Sequence, residues 1–519
     1  MAMVLDPEAG RIIVGGAGEG SALPEALLLR LANRHGLIAG ATGTGKTVTL
    51  QTLAESLSLA GVPVFLSDVK GDLAGLARPG SDQGKLHGAF QARAARIGVD
   101  LDYQAFPVTF WDVWGAEGHP VRTTPAEMGP LLLSRLLGLT AVQEGVMTIA
   151  FRLADEQGLP LLDLKDLQAM LVWVGQNARD LSLRYGNVGT SSVGAIQRAL
   201  LVLEGEGGDR LFGEPALDLA DLLRQDDQGR GVINILAADR LMSAPRLYAT
   251  FLLWLLSELF EQLPEVGDPD RPRLAFFFDE AHLLFDDAPK ALVDKIEQVA
   301  RLIRSKGVSI WFVSQSPADI PEDVLGQLGN RVQHGLRAFT AKDQAALRAA
   351  AQNYRPNPDF DIAEAIQTVG TGEAVTSFLQ AKGEPGIAQR TLIRPPFSQL
   401  GPITEDERAT IVAASPLGAT YATTLDRHSA HEMLAQRTAE AAAPADEDLF
   451  RMPAPSPAPT ASRGRPYQAP EAPEKPAPRG RSDSIAQAFG KSLARQLGTR
   501  TGQALIRGVL GSLTGRRRR

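Results

Sequence analysis

The amino-acid sequence of 519 residues contains no cysteine, and aromatic residues make up only 6% of it. Without cysteine the chain has no disulfide, no thiolate zinc site and no cysteine nucleophile. With so few aromatics, we find no stacking platform of interleaved basic and aromatic residues for nucleic acid. Hydrophobic residues make up 44% of the chain, close to the ordinary share of a globular protein, so a large core can be buried.

Long hydrophobic runs are missing as well. The best candidate, Leu247–Phe260, has 14 residues and includes Glu258, whereas a membrane-spanning helix needs about 20 apolar residues. The N-terminus lacks the positively charged segment and apolar stretch of a signal peptide. We therefore expect a cytoplasmic protein with no membrane partner.

Charge is distributed unevenly along the chain. Residues 441–519 hold 14 basic and 6 acidic side chains, whereas the preceding 440 residues hold 39 basic and 54 acidic ones. An acidic body with a basic tail predicts that the tail contacts any polyanion.

Short apolar runs predict a parallel sheet covered by helices on both faces, because they are continuous rather than alternating. The predicted strands are Gly36–Gly40, Val64–Asp68, Val108–Val113, Gly231–Leu236, Leu274–Asp279 and Ser309–Ser314. Helical patterns separate them, which indicates repeated βαβ units. Residues 123–225 have leucine-rich helical periodicity and predict a mostly helical insertion. The α/β core then comprises residues 1–122 and 226–440, with a β-hairpin predicted at Glu373–Phe378 and Ala388–Ile393.

The composition changes after this core. Nine prolines between Pro453 and Pro478 predict a disordered linker over 441–481. Apolar periodicity returns over 482–519, which ends in four arginines and predicts a short, basic, amphipathic helical tail. Such a tail offers a contact for a protein partner or a polyanion. The alternative is a solvated basic terminus.

The strongest functional signal is the run GATGTGKT at residues 40–47, which matches the P-loop pattern G-x-x-x-x-G-K-[ST]. It follows a predicted strand and precedes the helical pattern Val48–Leu59, which disfavours the alternative of a chance glycine-rich turn. The glycines let backbone N–H groups reach phosphate oxygens, Lys46 neutralises the β- and γ-phosphates, and the Thr47 hydroxyl binds Mg²⁺. The predicted nucleotide-binding residues are Gly40, Ala41, Thr42, Gly43, Thr44, Gly45, Lys46 and Thr47.

A pair of carboxylates follows another apolar strand. Five apolar residues, Leu274–Phe278, precede Asp279 and Glu280, a Walker B pattern. Asp279 is predicted to hold the Mg²⁺ shell, and Glu280 to orient or deprotonate the attacking water. The alternative is that these acids cap a helix beginning at Ala281, and the two roles are compatible.

A polar amide ends the next predicted strand. Gln315 follows Ser314 and is predicted to sense the γ-phosphate. The alternative is a simple strand-end turn before Pro317.

Other nucleotide enzymes fit less well. A GTPase needs an Asn-Lys-x-Asp motif, which the sequence does not contain. Residues Asp279–His282 spell DEAH, but Lys46 and Asp279 are 233 residues apart, no Ser-Ala-Thr motif follows and no second helicase domain fits after residue 400. A module that binds ATP without turnover is disfavoured by Glu280 beside Asp279.

Four segments together resemble the HerA/FtsK-type ATPases: Arg34–Thr47, Asp68–Asp72, Phe278–His282 and Ser314–Pro317. The chain more closely resembles a bacterial family of HerA-like helicase C-terminal-domain proteins, sometimes called YjgR-like. This resemblance covers about residues 5–435 and the last 30, and it is carried by Gln143–Val146, Ala154–Leu159, Asp163–Leu167, Gly372–Val375 and Arg495–Gly498.

The resemblance implies a RecA-like ring motor, usually a hexamer, with ATP at the subunit interfaces and DNA as its track. It implies a catalytic role for Asp68, whose alternative is a turn or helix-cap acid. It implies that Arg34 contacts nucleotide, or else lies at the surface. An arginine at about Arg304, with Arg301 as second choice, is implied to reach the neighbouring subunit's γ-phosphate; the alternative is a solvated basic helix face.

We therefore expect a Mg²⁺-dependent ATPase that acts as a DNA translocase or helicase. The alternative is a P-loop ATPase that remodels or scaffolds protein partners without unwinding nucleic acid. The acidic body slightly favours this alternative, and DNA-stimulated ATPase activity would separate the two.

Overall fold

The computed structural model of the protein describes residues 3–285 and 290–442. Within these residues the strands are β1 (Leu5–Asp6), β2 (Arg11–Ala17), β3 (Leu23–Leu28), β4 (Gly36–Ala39), β5 (Val64–Asp68), β6 (Val108–Asp112), β7 (His119–Pro120), β8 (Ile233–Ala237), β9 (Leu274–Phe278), β10 (Val308–Ser314), β11 (Asn330–Gln333), β12 (Glu373–Ser377) and β13 (Gln389–Ile393).

The α-helices before residue 230 are α1 (Leu29–Ala32), α2 (Lys46–Leu59), α3 (His87–Ile97), α4 (Pro125–Leu136), α5 (Ala141–Gln157), α6 (Leu164–Gln176), α7 (Ala178–Tyr185), α8 (Thr190–Leu203), α9 (Asp209–Leu211) and α10 (Leu219–Leu222). Those after it are α11 (Pro245–Gln262), α12 (Lys290–Leu302), α13 (Glu322–Leu325), α14 (Ala341–Gln352), α15 (Ile362–Thr368), α16 (Glu405–Ala414), α17 (Gly418–Tyr421) and α18 (Ala430–Ala442).

Eight strands form a parallel sheet in the order β11-β4-β10-β9-β5-β8-β6-β7. Strands β4, β5, β8 and β9 are buried along their whole length, as continuous apolar runs require when helices cover both faces. Because the strands are parallel, the residues that follow β4, β5, β9 and β10 lie along one carboxyl edge. The predicted α/β P-loop fold class is confirmed.

An antiparallel extension, which the sequence did not predict at its N-terminal end, continues the sheet beyond β11. Strands β12, β13, β2 and β1 follow in that order, and β3 pairs with β2. Glycine is required where β2 meets β13, because a Cβ on Gly15 would lie 2.3 Å from the carbonyl oxygen of Leu392. Strand β2 has the sequence RIIVGGA, in which apolar and polar residues do not alternate, so the sequence pattern does not predict it.

Between β7 and β8 the described residues form helices joined by turns, and no strand longer than an isolated bridge occurs there. Three of them begin with capping boxes at Thr124, Thr140 and Asp163, which explains why they start there. The C-terminal helix α18 returns to this region: the Ser429 hydroxyl, just before it, donates to the Asp166 carboxylate at 2.6 Å. The described chain thus ends on the helical region rather than on the sheet.

The most apolar helix, α11, is buried in the core shared by the sheet and the helical region. Among the described helices, none combines the length and apolarity that a membrane crossing demands. The predicted linker at 441–481 and the predicted tail at 482–519 lie outside the described residues, apart from Ala441 and Ala442 in α18.

Candidate nucleotide site

The P-loop connects β4 to α2 at the carboxyl edge of the sheet. Gly40, Gly43 and Gly45 have φ values of +152°, +79° and +115°, a region that favours glycine. Gly45 is the N-cap of α2, and no side chain caps that helix. The first N–H groups of α2 therefore point out of the helix without a side-chain acceptor, which is the arrangement that binds phosphate.

Lys46 begins α2 and folds back over the loop. Its Nζ donates to the carbonyl oxygen of Gly40 at 2.6 Å, and the residue is only 8% exposed. Burial lowers the pKa of Lys46, with the charge of Glu280 opposing this shift. The ammonium group is thus held inside the P-loop, where a phosphate would lie.

The two acids follow β9 at the same edge, with β10 between β9 and the P-loop strand β4. Burial, and next the nearby Glu280 carboxylate, raise the pKa of Asp279 to about 7. Glu280 has φ +47° and ψ 48°, a left-handed conformation that costs a non-glycine residue about 1–3 kcal/mol. Strained residues of this kind cluster at functional sites.

Glu280 contacts two side chains that could change its basicity. Its Oε1 accepts a hydrogen bond from Lys70 Nζ at 2.5 Å, and its Oε2 lies 3.4 Å from His282 Nδ1. Burial would raise the pKa of Glu280, but the hydrogen bond and charge of Lys70 outweigh it and leave the pKa below its usual value. Oε2 is buried and makes no hydrogen bond within the described residues.

Asp68 ends β5, beside the Walker B strand. Its carboxylate accepts hydrogen bonds from the backbone N–H groups of Gly71 at 2.8 Å, Leu73 at 3.1 Å and Lys70 at 3.3 Å. Burial, followed by the charge of Asp72, raises the pKa of Asp68 to about 6. Asp68 therefore organises the turn after β5; its catalytic role stays a prediction.

Gln315 lies at the carboxyl edge, directly after β10, and its side chain is exposed. The following turn is closed by Asp319, which accepts from the Ser314 hydroxyl at 2.6 Å and the Ser316 N–H at 2.9 Å. The structure thus places Gln315 between the P-loop and the Walker B pair, where a γ-phosphate sensor could act.

The structure does not bring the three predicted arginines to the P-loop. Arg34 precedes β4 and Arg304 precedes β10, so both lie at the amino edge of the sheet, opposite the P-loop. Both pair with Asp268, at 3.4 Å and 2.9 Å. Arg301 lies 3.8 Å from Asp323, outside hydrogen-bond range. Within one chain, the structure therefore leaves Arg34 and Arg304 away from the P-loop.

Two residues at the site were missed by the sequence analysis: Lys70 and His334. His334 follows β11 and is fully buried against the P-loop, where a Cβ on Gly40 would lie 2.5 Å from the His334 Cβ. Lys70 lies within Asp68–Asp72, one of the segments that carry the resemblance, but nothing in the sequence indicates its contact with Glu280. His334 follows the polar sequence NRVQ, which carries no strand signal.

The residues at this edge fit a magnesium ion that is bound together with nucleotide. Mg²⁺ is usually held by one or two protein oxygens plus phosphates and water. The Thr47 hydroxyl and the Asp279 carboxylate supply such oxygens, and the orphaned Oε2 of Glu280 suits an ordered water. The described residues contain no group of three or more His, Cys, Asp or Glu side chains that could hold a metal alone.

The family model for the helicase HerA-like C-terminal family matches residues 17–519. The chain belongs to this family. The resemblance to HerA-type ATPases is thereby confirmed. No curated protein matches the chain.

Solved structures similar to this HerA-like chain include two proteins of low sequence identity. The bacterial conjugative coupling protein TrwB (deltaN70 form) is 16% identical, with 74% of this chain and 89% of that one covered and a TM-score of 0.48. VirB4 of Thermoanaerobacter pseudethanolicus is 16% identical, with 76% and 98% covered and a TM-score of 0.47.

Proposed function

We propose that this HerA-like protein is a Mg²⁺-dependent ATPase that works as a ring motor on DNA. The observation that carries the proposal is the arrangement at the carboxyl edge, where the P-loop with Lys46 follows β4 and the Asp279–Glu280 pair follows β9, with β10 between these two strands. A phosphate-binding loop and a buried acid pair at one edge of a parallel sheet are the parts that phosphoryl transfer to water requires.

Each residue has a definite task in this proposal. The N-terminus of α2 and Lys46 bind the phosphate chain of ATP. Thr47 and Asp279 would hold Mg²⁺, which would supply positive charge to the phosphates. Glu280 accepts the proton of a water whose oxygen forms a bond to the γ-phosphorus. The bond from that phosphorus to the bridging oxygen breaks, and ADP leaves with the electron pair. Gln315 contacts the γ-phosphate from the intervening strand.

The charge that stabilises the transition state comes from a neighbouring subunit in this proposal. No arginine lies in the strand-end motifs at the carboxyl edge, whereas Arg304, and next Arg301, are displayed at the opposite edge with side chains about one-third to one-half exposed. In the proposed ring, the amino edge of the sheet in one subunit lies against the nucleotide that is bound to the next subunit. An arginine supplied in this way contributes about 10³–10⁵ in rate.

The substrate track is tested by measuring ATP hydrolysis on protein of known oligomeric state, without DNA and with single- or double-stranded DNA. Stimulation by either DNA supports the motor. Hydrolysis that DNA leaves unchanged supports the second candidate, an ATPase that remodels protein partners, which the chain's net charge of −7 favours. Absence of hydrolysis, with ATP still bound, contradicts both and leaves a nucleotide-binding module. The Glu280→Gln variant serves as the control for contaminating ATPases.

A further inference from the structure

The side chain of Lys70 forms an ion pair with Glu280, the proposed catalytic base. The two groups are 210 residues apart in sequence and meet because β5 pairs directly with β9. The Lys70 side chain is 47% exposed, whereas that of Glu280 is 7% exposed. A solvent-accessible cation thus covers one oxygen of a buried carboxylate whose other oxygen makes no hydrogen bond within the described residues.

The turn after β5 holds Lys70 in this position. Asp68 accepts three backbone N–H groups of the turn, including that of Lys70 itself, and Gly71 adopts a φ of +71°. A turn that is organised in this way presents the lysine stem to the Walker B edge with little backbone freedom. The flexible part of the contact is therefore the half-exposed lysine side chain.

This contact opposes the task that the mechanism gives Glu280. A general base must accept a proton, and a carboxylate that receives a charge-assisted hydrogen bond from an ammonium group accepts protons less readily. The contact also occupies one acceptor site of Oε1, whereas Oε2 makes no hydrogen bond within the described residues. Oε2 is buried beside His282, at 3.4 Å from Nδ1.

We propose that Lys70 restrains Glu280 and that ATP hydrolysis requires this ion pair to open. Lys70 is a positioning residue: it acts through Glu280 and not on the nucleotide. The ammonium group is half-exposed and can bind water when the pair opens, so the cost of opening falls on the buried Glu280 carboxylate. The inference rests on the proposed ATPase function, since it concerns the base of that reaction.

The test compares three full-length variants with the wild type in steady-state ATP hydrolysis at pH 8. Lys70→Met keeps the stem and removes the charge, and Lys70→Arg keeps a cationic donor. Lys342→Met removes a positive charge from an exposed site on α14 and is the matched control. Nucleotide affinity is measured in parallel, and Lys70→Gln replaces Lys70→Met if the latter does not give folded protein.

We expect Lys70→Met to raise kcat at pH 8 by about three- to tenfold and leave KM close to that of the wild type. Lys70→Arg and Lys342→Met should match the wild type.

A kcat in Lys70→Met that is lower than or equal to that of the wild type overturns the restraint. Wild-type protein that hydrolyses no ATP contradicts the proposed function itself, which separates the two failures. A purely structural role for Lys70 would lower stability or change KM, and it would not raise kcat.

Discussion

The imidazole Nε2 of His334 lies 2.8 Å from the hydroxyl of Thr49 in the first turn of the P-loop helix α2. On the other side of the ring, Nδ1 lies 2.9 Å from the carbonyl oxygen of Glu373. A carbonyl only accepts, so Nδ1 carries the proton and Nε2 accepts from Thr49. Burial lowers the pKa of His334 to about 4, so the ring is neutral at physiological pH.

Replacing His334 with alanine should destabilise the protein by about 2–4 kcal/mol at pH 7.5, because a cavity forms and Thr49 loses its partner. The difference in unfolding free energy between His334→Ala and the wild type should become smaller as the pH falls from about 6.5 to 4. In that window the unfolded wild type binds a proton on His334 that the folded protein does not, so only the wild type loses this stability, at up to about 1.4 kcal/mol per pH unit.

Urea unfolding of the two proteins at pH 7.5 and pH 5.5 measures this narrowing. Thr49→Val is the matched control, since it removes the same hydrogen bond and keeps the imidazole. Its difference from wild type should vary much less with pH. A difference for His334→Ala that is equally large at both pH values would contradict the neutral, buried histidine.

The pKa of about 7 at Asp279 predicts that Mg²⁺–nucleotide binding weakens below neutral pH. Asp279 must be ionised to hold the metal, so binding has to remove a proton from it at low pH. Affinity for a non-hydrolysable ATP analogue with Mg²⁺ should fall by up to about tenfold per pH unit below 7. Calorimetry at pH 6 and pH 8 measures the change.

The nucleotide's own phosphates also titrate near this pH range, and Asp279→Asn isolates the contribution of the protein. This variant should bind more weakly at pH 8 and depend less steeply on pH. If wild type and Asp279→Asn show the same slope, Asp279 does not hold the metal.

Replacement of the P-loop lysine and replacement of the second Walker B acid should impair ATP hydrolysis in different ways. Lys46→Ala should abolish turnover and weaken nucleotide binding, because the phosphates lose their cationic partner. Glu280→Gln should bind nucleotide but lose about two to four orders of magnitude in turnover, since metal binding survives and water activation does not. Turnover close to wild type in Glu280→Gln would rule out its assignment as the base.

Arg304 is predicted to complete the nucleotide site of the next subunit. An Arg304→Ala protein mixed with a Lys46→Ala protein should recover part of the activity, because some interfaces then combine an intact P-loop with an intact arginine. The matched control mixes Lys46→Ala with Glu280→Gln, whose lesions lie in the same half of the site and cannot complement. Mixtures with proven subunit exchange that stay inactive would argue against Arg304.

The sequence predicted the strands that carry the nucleotide site with small errors in their ends. Strands β4, β5, β9 and β10 are short, continuous apolar runs, and the P-loop signal is contained within eight residues. By contrast, β11 has the polar sequence NRVQ. Its Asn330 is nonetheless buried, because the side-chain amide donates to the carbonyl oxygens of Leu31 and His35 at 3.2 Å and 3.0 Å. A buried polar strand whose side chains hydrogen-bond to residues distant in sequence has no apolar periodicity from which it could be predicted.

The sequence alone determined the local elements of the site: the glycine-rich turn between β4 and α2, the acids at the end of β9 and the amide after β10. Each depends on residues only a few positions apart. The tertiary structure alone decided that Lys70 meets Glu280, that His334 meets Thr49, and that Arg34 and Arg304 share Asp268 at the opposite edge. These contacts join residues tens to hundreds of positions apart, and strand order and register determine them. Several strand orders would bury the same apolar runs equally well, so the sequence pattern cannot choose among them.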